Sequence, residues 1–196
     1  SEDYNLTAQL WGHYIENLLN TDAPGLILDL RVNGGGSMGL ANAFAGYFYQ
    51  QETIISKHAY YNHQLGEFEY KEPPTSIEPG PSYFDAPVAV LVSPYCVSAC
   101  EGFSYALGQL ENTIIVGHFP TAGAYGEVGR GQYDLPADLS MQFPTGRPET
   151  PDGELLIEGS GVLLDVTVLV TEESALGQVD TVLEAAIQAL QEEINP

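Results

Sequence analysis

Hydrophobic residues at the start of the chain follow first a helical spacing and then the pattern of a buried strand. Leu6, Leu10, Tyr14 and Leu18 recur every four residues, and an Asp-Ala-Pro-Gly segment then ends the helical pattern. Residues 25–31 (GLILDLR) form a short apolar run between turn signals, which is typical of a strand covered on both faces. The pattern therefore predicts a first helix followed by a central strand.

Helical and strand patterns alternate along the rest of the chain. Helices are predicted at residues 38–49 and 98–110 and from 181 onward, strands at 87–93, 113–116 and 161–170, a hairpin at 52–72, and loops at 73–86, 117–131 and 144–153. Thr181 and Glu184 form a capping box that is predicted to begin the last helix. Strands that alternate with helices predict an α/β domain with a largely parallel central sheet.

The length and composition are those of a single globular domain. The chain has 196 residues, of which 44% are hydrophobic, and single domains typically run to roughly 100–200 residues. We therefore predict one domain over residues 1–196. No apolar run approaches the roughly 18–20 residues that cross a bilayer, so we expect no membrane span.

The chain is strongly acidic. Its 5 Lys and Arg residues stand against 27 Asp and Glu residues, which gives a formal net charge of −22. Such a surface repels phosphate backbones and anionic lipids alike, so we expect no nucleic-acid partner. We interpret the acidity as a solubility or salt-adaptation feature rather than as a site for cationic substrates.

The two cysteines and the chain start bear on the cellular compartment. Cys96 and Cys100 are too few for the disulfide framework of a small secreted domain. On successive turns of one helix their Cβ atoms would be about 5 to 6 Å apart, so we expect two buried thiols rather than a disulfide or a metal site. The chain begins at Ser1 without Met or a signal segment, which indicates a removed export signal or an excised part of a longer chain. We expect a secreted or periplasmic protein.

Ser98 is the first candidate for a catalytic residue. In residues 87–101 (PVAVLVSPYCVSACE), a buried strand delivers this serine to the start of a helix. The amides of a first helical turn have no internal partners and carry partial positive charge, so the Ala99 amide could stabilise an oxyanion formed beside it. Serine at a helix start is more often only an N-cap, and the segment alone leaves both interpretations open.

Three glycines follow the first predicted strand and are the second candidate feature. Gly34, Gly35 and Gly36 come directly after Asn33 and allow the backbone to approach a substrate closely. A phosphate-binding loop is the competing interpretation, but no Lys-Ser or Lys-Thr follows and the Gly-x-Gly-x-x-Gly spacing is absent. As a bare motif the segment indicates a tight turn. Paired with Ser98, it predicts the second half of an oxyanion hole.

Four segments occur in an order that is typical of one peptidase family. They read GLILDLRVNGGG, PVAVLVS…SACEGFSYAL, IIVGHFPTAGAYG and IEGSGVLLDVTV. In these segments the chain resembles the S41 peptidases, which include the C-terminal processing peptidases and the tricorn core peptidases. The resemblance implies a ClpP/crotonase-like core of ββα units and Ser98 as the nucleophile of the Ser-Ala-x-Glu motif. It places the oxyanion amides at Ala99 and at Gly34 or Gly35.

The general base departs from the pattern of the processing peptidases. These enzymes carry a lysine in a Thr-x-Gly-Lys-Gly block downstream of the serine, whereas residues 121–126 read TAGAYG and place Ala124 at the lysine position. The two lysines of the chain, Lys57 and Lys71, lie in the predicted hairpin. The tricorn-like branch instead uses a histidine, from a strand upstream of this chain, and a glutamate before a Gly-Val pair. Glu158 occupies the position of that glutamate.

The four histidines are alternative candidates for the base, because a neutral histidine can activate a serine hydroxyl near pH 7. His13 falls on the first predicted helix, where we expect a surface or packing residue, and His58 and His63 fall in the polar hairpin, where we expect them to be solvated. His118 follows the third predicted strand and precedes the block at Thr121. It is therefore the histidine retained as a candidate catalytic residue.

Three charged residues are assigned supporting roles. Glu101 completes the Ser-Ala-x-Glu motif, and its place on the first helical turn suits the helix dipole. Asp29 and Arg31 flank the end of the first predicted strand, and we expect them to pair and to hold the glycine loop.

Together these observations predict a serine endopeptidase that acts on peptide or protein substrates. Ser98 would form the acyl-enzyme and Glu158 would orient a histidine base, without a metal or organic cofactor. A non-catalytic domain that binds peptides or apolar ligands is the alternative, and Ala124 favours it. Acyl-thioester chemistry is a third possibility, against which the Ser-Ala-x-Glu motif argues. Because an upstream edge strand would be missing, we also expect homo-oligomers that cover the open sheet edge.

Overall fold

The structure is a computed structural model that describes residues 2–128 and 131–195. In these residues the α-helices are α1 (Glu2–Asn20), α2 (Met38–Ala45), α3 (Ala99–Leu107), α4 (Glu172–Ala175) and α5 (Thr181–Ile194). The strands are β1 (Leu26–Asp29), β2 (Thr53–Asn62), β3 (Glu67–Tyr70), β4 (Thr75–Ile77), β5 (Val88–Leu91), β6 (Thr113–Gly117), β7 (Gln132–Leu135), β8 (Leu139–Gln142), β9 (Gly146–Glu149) and β10 (Val166–Thr167). A 3-10 turn, Gly46–Phe48, extends α2.

A parallel sheet with the strand order β1-β5-β6-β10 forms the centre of the fold. All four residues of β5 are buried, and they alternate between two hydrophobic clusters. Val88 and Val90 pack on the side of α2 and α3, whereas Ala89 and Leu91 pack against α5. Burial on both faces explains the uninterrupted apolar run in the sequence. The predicted α/β class with a largely parallel central sheet is confirmed.

Three loops that carry candidate site residues leave the same edge of this sheet. β1 is followed by the glycine loop, β5 by the turn at Ser98, and β6 by the segment at residues 118–126. Because parallel strands present their carboxyl ends at one edge, the three loops are brought together there.

The prediction for residues 25–31 needs one correction, because β1 is covered incompletely. It lies at the edge of the sheet, and its residues are half-buried or exposed. An apolar run reports that a strand is covered by other elements, but it does not report whether the strand has one neighbour or two.

A second, antiparallel sheet is built around β2, which pairs with β3, β4 and β9. The β2–β3 pairing confirms the hairpin predicted at residues 52–72. Two segments predicted as loops, 73–86 and 144–153, contain β4 and β9. Their prolines and glycines suppress the strand pattern, and the ten-residue strand β2 supplies pairing partners that the pattern does not reveal. The β7–β8 hairpin is a separate, exposed unit.

The two ends of the chain also differ in detail from the prediction. Leu6, Leu10 and Tyr14 are on the exposed side of α1, whereas Ile15 is buried. The predicted strand at residues 161–170 contracts to β10. The last helix begins at the predicted place, but its N-cap is Asp180, whose side chain accepts from Leu183 N, rather than the predicted capping box at Thr181.

Within the described residues, no helix combines the length and the apolar character that crossing a membrane requires.

Candidate active site

Ser98 lies at the junction between the turn after β5 and the first residue of α3. Its backbone has φ 59° and ψ −121°, a left-handed conformation that is rare outside glycine, and its side chain is exposed. A residue in such a conformation costs about 1–3 kcal/mol and persists only where its surroundings enforce it. A strained serine between a strand and a helix is also the arrangement by which hydrolases present a nucleophilic Oγ.

Gly35 packs directly against Ser98. A Cβ atom at Gly35 would lie 2.9 Å from Ser98 Cβ, 3.1 Å from Ala99 N and 2.4 Å from the Val97 carbonyl oxygen. Gly35 also has φ +91°, so both its conformation and its contacts require glycine. Gly34 meets no such atoms. The structure therefore brings three of the predicted site residues, Ser98, Ala99 and Gly35, into contact.

The backbone amides around Ser98 differ in whether they have hydrogen-bond partners. The Gly35 amide donates to Asn33 Oδ1 over 2.9 Å. For the amides of Gly34 and Ala99, the described part of the chain shows no acceptor. Unpartnered amides beside a serine are the donors that an oxyanion requires.

Glu101 is a fully buried carboxylate that connects the Ser98 turn to residues 121–124. Its Oε1 accepts from Thr121 Oγ1 and Gly123 N, both at 2.7 Å, and its Oε2 accepts from Ser98 N and Ala124 N, both at 3.0 Å. Four donors replace the water that burial removes. The contacts are those of a positioning residue, which agrees with the supporting role expected from the sequence.

Glu158 holds the next part of the same loop. Its Oε2 accepts from Tyr125 N at 2.6 Å and from Gly126 N at 2.5 Å. Burial, and secondarily the charge of Glu101, raise the pKa of the Tyr125 hydroxyl, so this side chain is a neutral packing group. Glu158 is thus joined to the Ser98 turn through the loop, and its role toward a histidine stays a prediction.

Ala124 lies close to Ser98, at the position that resembles the lysine of the processing peptidases. Its amide and that of Ser98 donate to the same oxygen of Glu101, so the two nitrogens are at most twice the 3.0 Å bond length apart. Lys57 lies over the ring of Tyr70, and Lys71 pairs with Glu69. No described lysine therefore contacts Ser98.

The contacts of His118 are with β10 and its surroundings rather than with Ser98. Its Nδ1 is 2.7 Å from the Val168 carbonyl oxygen, and it lines a cavity of about 440 Å³ together with Arg31 and Asp180. Between the described residues, no hydrogen bond joins His118 to Ser98. A catalytic role for His118 stays a prediction that these contacts do not favour.

The other three histidines lie on α1, on β2 and in the turn that follows β2. His13 is on the exposed side of α1 and His63 is in the exposed β2–β3 turn, as expected. His58 is half-buried on β2, where burial lowers its pKa, so the expectation that it is solvated was wrong. β2 is the central strand of the second sheet, and the polar residues of a hairpin do not reveal such coverage.

Arg31 anchors the start of the glycine loop to α5. Its guanidinium is 2.6 Å from Asp29 Oδ2 and 2.7 Å from Asp180 Oδ1. The hydrogen bonds from Arg31 hold the pKa values of Asp29 and Asp180 below their ordinary value. The expected pair of Asp29 with Arg31 is confirmed, and the second carboxylate ties the loop to the N-terminus of α5.

Cys96 and Cys100 form a disulfide, so the expectation of two free thiols was wrong. Cys96 is not on α3 but in the turn before it. The Cα atoms of the two cysteines are 5.5 Å apart, within the range of about 4.4–6.8 Å that disulfides use, and Ser98 between them has a left-handed backbone. Both cysteines are buried.

A recess of about 380 Å³ lies against the glycine loop and the start of α3. Gly35 and Ala99 line one side of it, and Leu40, Phe44 and Phe103 contribute apolar surface. In the described ranges, no cluster of three or more His, Cys, Asp or Glu side chains is arranged to hold a metal ion.

Sequence reasoning missed three features of this site, namely the Glu101 hydrogen-bond network, the contact of Gly35 with Ser98, and the disulfide. The first two depend on loops that are far apart in sequence. Cysteines at positions 96 and 100 bracket the candidate serine and are the signal for the disulfide, but a continuous helix would hide it because it would separate their Cβ atoms by about 5 to 6 Å.

Comparison with known proteins gives a consistent relationship. The sequence model of peptidase family S41 matches residues 2–168. A candidate peptidase from Parabacteroides merdae ATCC 43184 superimposes with a TM-score of 0.77 at 25% identity, covering 95% of this chain and 56% of that one. Mature CPAF in complex with lactacystin superimposes with a TM-score of 0.72 at 16% identity, covering 95% of this chain and 46% of that one. The photosystem II D1 C-terminal processing protease gives 0.63 at 24% identity, with coverages of 98% and 45%.

The chain spans 45–56% of the length of these three proteins, so the relationship concerns a part of each. The likeness to CPAF and to the D1 processing protease shows a shared fold. The resemblance inferred from four segments of the sequence is confirmed by the match over residues 2–168, and the chain belongs to peptidase family S41.

Proposed function

We propose that this protein is a serine endopeptidase that hydrolyses peptide bonds through an acyl-enzyme on Ser98. The observation that carries the proposal is the contact of a strained, exposed serine with the glycine loop, beside two backbone amides for which the described residues provide no acceptor. Membership of peptidase family S41 supports the reaction class.

The proposed reaction has an acylation and a deacylation stage. Ser98 Oγ attacks the carbonyl carbon while its proton passes to a general base, and the oxyanion is held by the amides of Ala99 and Gly34. We favour Gly34 over Gly35 because the Gly35 amide already donates to Asn33. The base then protonates the leaving amine, and water hydrolyses the acyl-enzyme by the reverse sequence of proton transfers.

The proposed base is a histidine from a segment of the full-length protein that precedes Ser1, as the tricorn-like resemblance implies. Ala124 supplies no basic group beside Ser98, and the described histidines make no hydrogen bond to it. Glu158, whose carboxylate accepts hydrogen bonds from the loop that carries Ala124, is proposed to orient that histidine. The proposed core type is the ClpP/crotonase-like arrangement of ββα units.

A secreted or periplasmic location is proposed for the protein. The Cys96–Cys100 disulfide supports it, because disulfides persist in oxidising compartments and are rare in the cytosol.

Labelling with a fluorophosphonate tests the proposed nucleophile. The full-length protein is expected to incorporate one label at Ser98, and Ser98→Ala is expected to incorporate none. Ser140→Ala, which removes an exposed hydroxyl on β8, is the matched control and is expected to label like the wild type. Equal labelling of the wild type and Ser98→Ala would rule out the assignment.

A catalytically inactive peptide-binding domain is the second candidate function. Ala124 at the lysine position and the apolar recess beside Gly35 favour it. It predicts that the full-length protein binds a library of unstructured peptides in calorimetry, without a fluorophosphonate label and without cleavage products. Cleavage that is lost in Ser98→Ala would exclude this candidate.

A further inference from the structure

We propose that the Cys96–Cys100 disulfide is a positioning element for Ser98. It holds the backbone of the Ser98 turn in the conformation that acylation requires, so reduction of the disulfide lowers the acylation rate. The inference rests on the proposed role of Ser98 as nucleophile.

The disulfide closes residues 96–100 into a covalent ring with Ser98 at its centre. Ser98 is also the residue of that ring with a left-handed backbone, at φ 59°. A left-handed conformation is unfavourable for serine and relaxes unless its flanks are held. A short covalent ring limits the conformations into which the turn can relax.

Each end of the ring is attached to a different part of the site. Cys96 donates its amide to the Ser93 carbonyl at 2.9 Å, and its own carbonyl accepts from Ala122 N at 3.1 Å. Cys100 belongs to the first turn of α3 and lines the recess beside Gly35. The disulfide therefore links the end of β5 and the loop at residue 122 to the helix that carries the proposed oxyanion amide.

Besides the disulfide and the two hydrogen bonds at Cys96, packing and further hydrogen bonds hold the turn, including one from Gly102 N to the Ser98 carbonyl at 3.1 Å. Ser98 N donates to Glu101 at 3.0 Å, while Val97 N donates to the Asn33 carbonyl and Cys100 N to the Val97 carbonyl, both at 3.2 Å. Rotation of Ser98 toward negative φ would turn the Ala99 amide and the Ser98 side chain away from the glycine loop together. Acylation is therefore expected to respond more strongly than the fold.

The size of the ring separates this role from general stabilisation. A disulfide restricts the unfolded chain less when it closes a shorter loop, and this one joins residues only four apart.

In the redox step, a dithiol reductant transfers two electrons and two protons to the disulfide, leaving two cysteine thiols and an oxidised reductant. Both cysteines are buried, so the reductant reaches the disulfide slowly and the reduction is expected to need a prolonged incubation. The incubation contains no denaturant, so that the protein stays folded.

The test measures the rate constant of fluorophosphonate labelling at Ser98 in the full-length protein with the disulfide oxidised, reduced by dithiothreitol, and re-oxidised by oxidised glutathione. Alkylation and mass spectrometry establish the redox state, and circular dichroism and thermal unfolding establish the folded fraction. Reduction is expected to slow labelling about tenfold or more. This factor is the rate change that corresponds to the free energy of the strained Ser98 backbone, which the reduced turn no longer retains. Re-oxidation is expected to restore the rate.

The double variant Cys96→Ala/Cys100→Ala is expected to label as slowly as the reduced wild type and to be insensitive to dithiothreitol. If this variant does not fold, the redox cycle of the wild type decides alone. Equal rates in folded, oxidised and reduced protein would overturn the inference, as would a decrease that only follows the unfolded fraction. These outcomes leave the proposed function intact, which fails only if Ser98→Ala labels like the wild type.

Discussion

At the scale of single residues, the site depends on two backbones in the left-handed region, those of Ser98 at φ 59° and Gly35 at φ +91°. They lie against each other, so neither can relax without displacing the other. Glu101 holds the Ser98 turn in place by accepting hydrogen bonds from the Ser98 amide and from residues 121–124. These three residues are where single substitutions are most informative.

Gly35→Ala is expected to disrupt the contact with Ser98. The added methyl group would lie 2.4 Å from the Val97 carbonyl oxygen, on a backbone at φ +91°. We expect the free energy of unfolding to fall by about 1–3 kcal/mol and the labelling of Ser98 to be lost. Urea unfolding measures the first, and fluorophosphonate labelling the second.

Gly34→Ala is the matched control for stability, because its Cβ would meet no atom within 4 Å. Its free energy of unfolding is expected to stay within about 0.5 kcal/mol of that of the wild type. If both alanine variants were equally stable, the described packing of Gly35 on Ser98 would be wrong.

Glu101→Gln is expected to destabilise the protein although it conserves shape. The amide NH2 of glutamine would face two donors that now share one carboxylate oxygen. Loss of these charge-assisted hydrogen bonds in a buried site is expected to cost about 2–3 kcal/mol, measured by urea unfolding. Glu193→Gln, at an exposed position on α5, is expected to have no measurable effect. A neutral result for Glu101→Gln would contradict the four-donor arrangement.

At the scale of elements, the glycine loop is coupled to the last helix of the chain. Asp180 is the N-cap of α5 through its bond to Leu183 N, and it also pairs with Arg31 at the end of β1. One side chain therefore combines a helix cap with an ion pair. The two contributions can be separated by substitution, because asparagine caps a helix but carries no charge.

Asp180→Asn is expected to destabilise the protein, and Asp180→Ala is expected to destabilise it further. At pH 7, asparagine removes the ion pair, which costs at most about 1 kcal/mol because both partners are partly exposed, and alanine removes the cap as well, for about 1 kcal/mol more. Thermal unfolding of the three proteins measures the difference. Equal stability of the two variants would show that Asp180 does not cap α5.

The pH dependence of this comparison follows from the lowered pKa of Asp180. Arg31 stabilises the ionised form in the folded protein, so the stabilisation is full above the ordinary value of 3.8 and is lost as the pH falls through the lower folded-state pKa. The difference in stability between the wild type and Asp180→Asn is therefore expected to be constant from pH 7 to about pH 5 and to disappear below about pH 4. A gap that widened on acidification would contradict this sign.

At the scale of the whole molecule, the net charge of −22 is the dominant property. Repulsion among like charges opposes the compact state, and added salt screens it. The melting temperature at pH 7 is therefore expected to rise when NaCl is increased from about 0.02 to 0.5 M, as measured by calorimetry. At a pH near the sequence pI of about 4.1 the same increase is expected to have little effect. A melting temperature that fell with salt at pH 7 would indicate that attractive ion pairs outweigh the repulsion.

The open side of β1 carries the prediction of self-association. Among the described residues, β1 pairs with β5 on one side and with no strand on the other. The amides of Leu26 and Leu30 donate toward β5, so that of Ile27 faces the open side. The 196-residue chain is expected to form dimers or larger species in light scattering, and Ile27→Pro, which removes that donor, is expected to reduce them. A monomeric wild type would contradict the prediction.

The sequence alone was sufficient to predict the features that depend on short stretches of chain. The apolar run of β5, the helix that begins after Ser98 and the glycines at positions 34–36 each carry their signal within about a dozen residues. The family followed from four such stretches in order, and the α/β class with its parallel sheet followed from the alternation of strand and helix patterns. Ala124 at the lysine position was also evident from the local motif.

Only the tertiary structure decided the features that join distant segments. Arg31 meets Asp180 across 149 positions of the chain, and Glu101 meets the loop at residues 121–124. The edge position of β1, the strands β4 and β9 and the placement of His118 depend likewise on partners that no local pattern specifies. The disulfide depended on the path of the chain, because Cys96 lies in the turn before α3 and the two cysteines therefore do not occupy successive turns of one helix. Local periodicity reports which residues are covered, and only the folded chain determines what covers them.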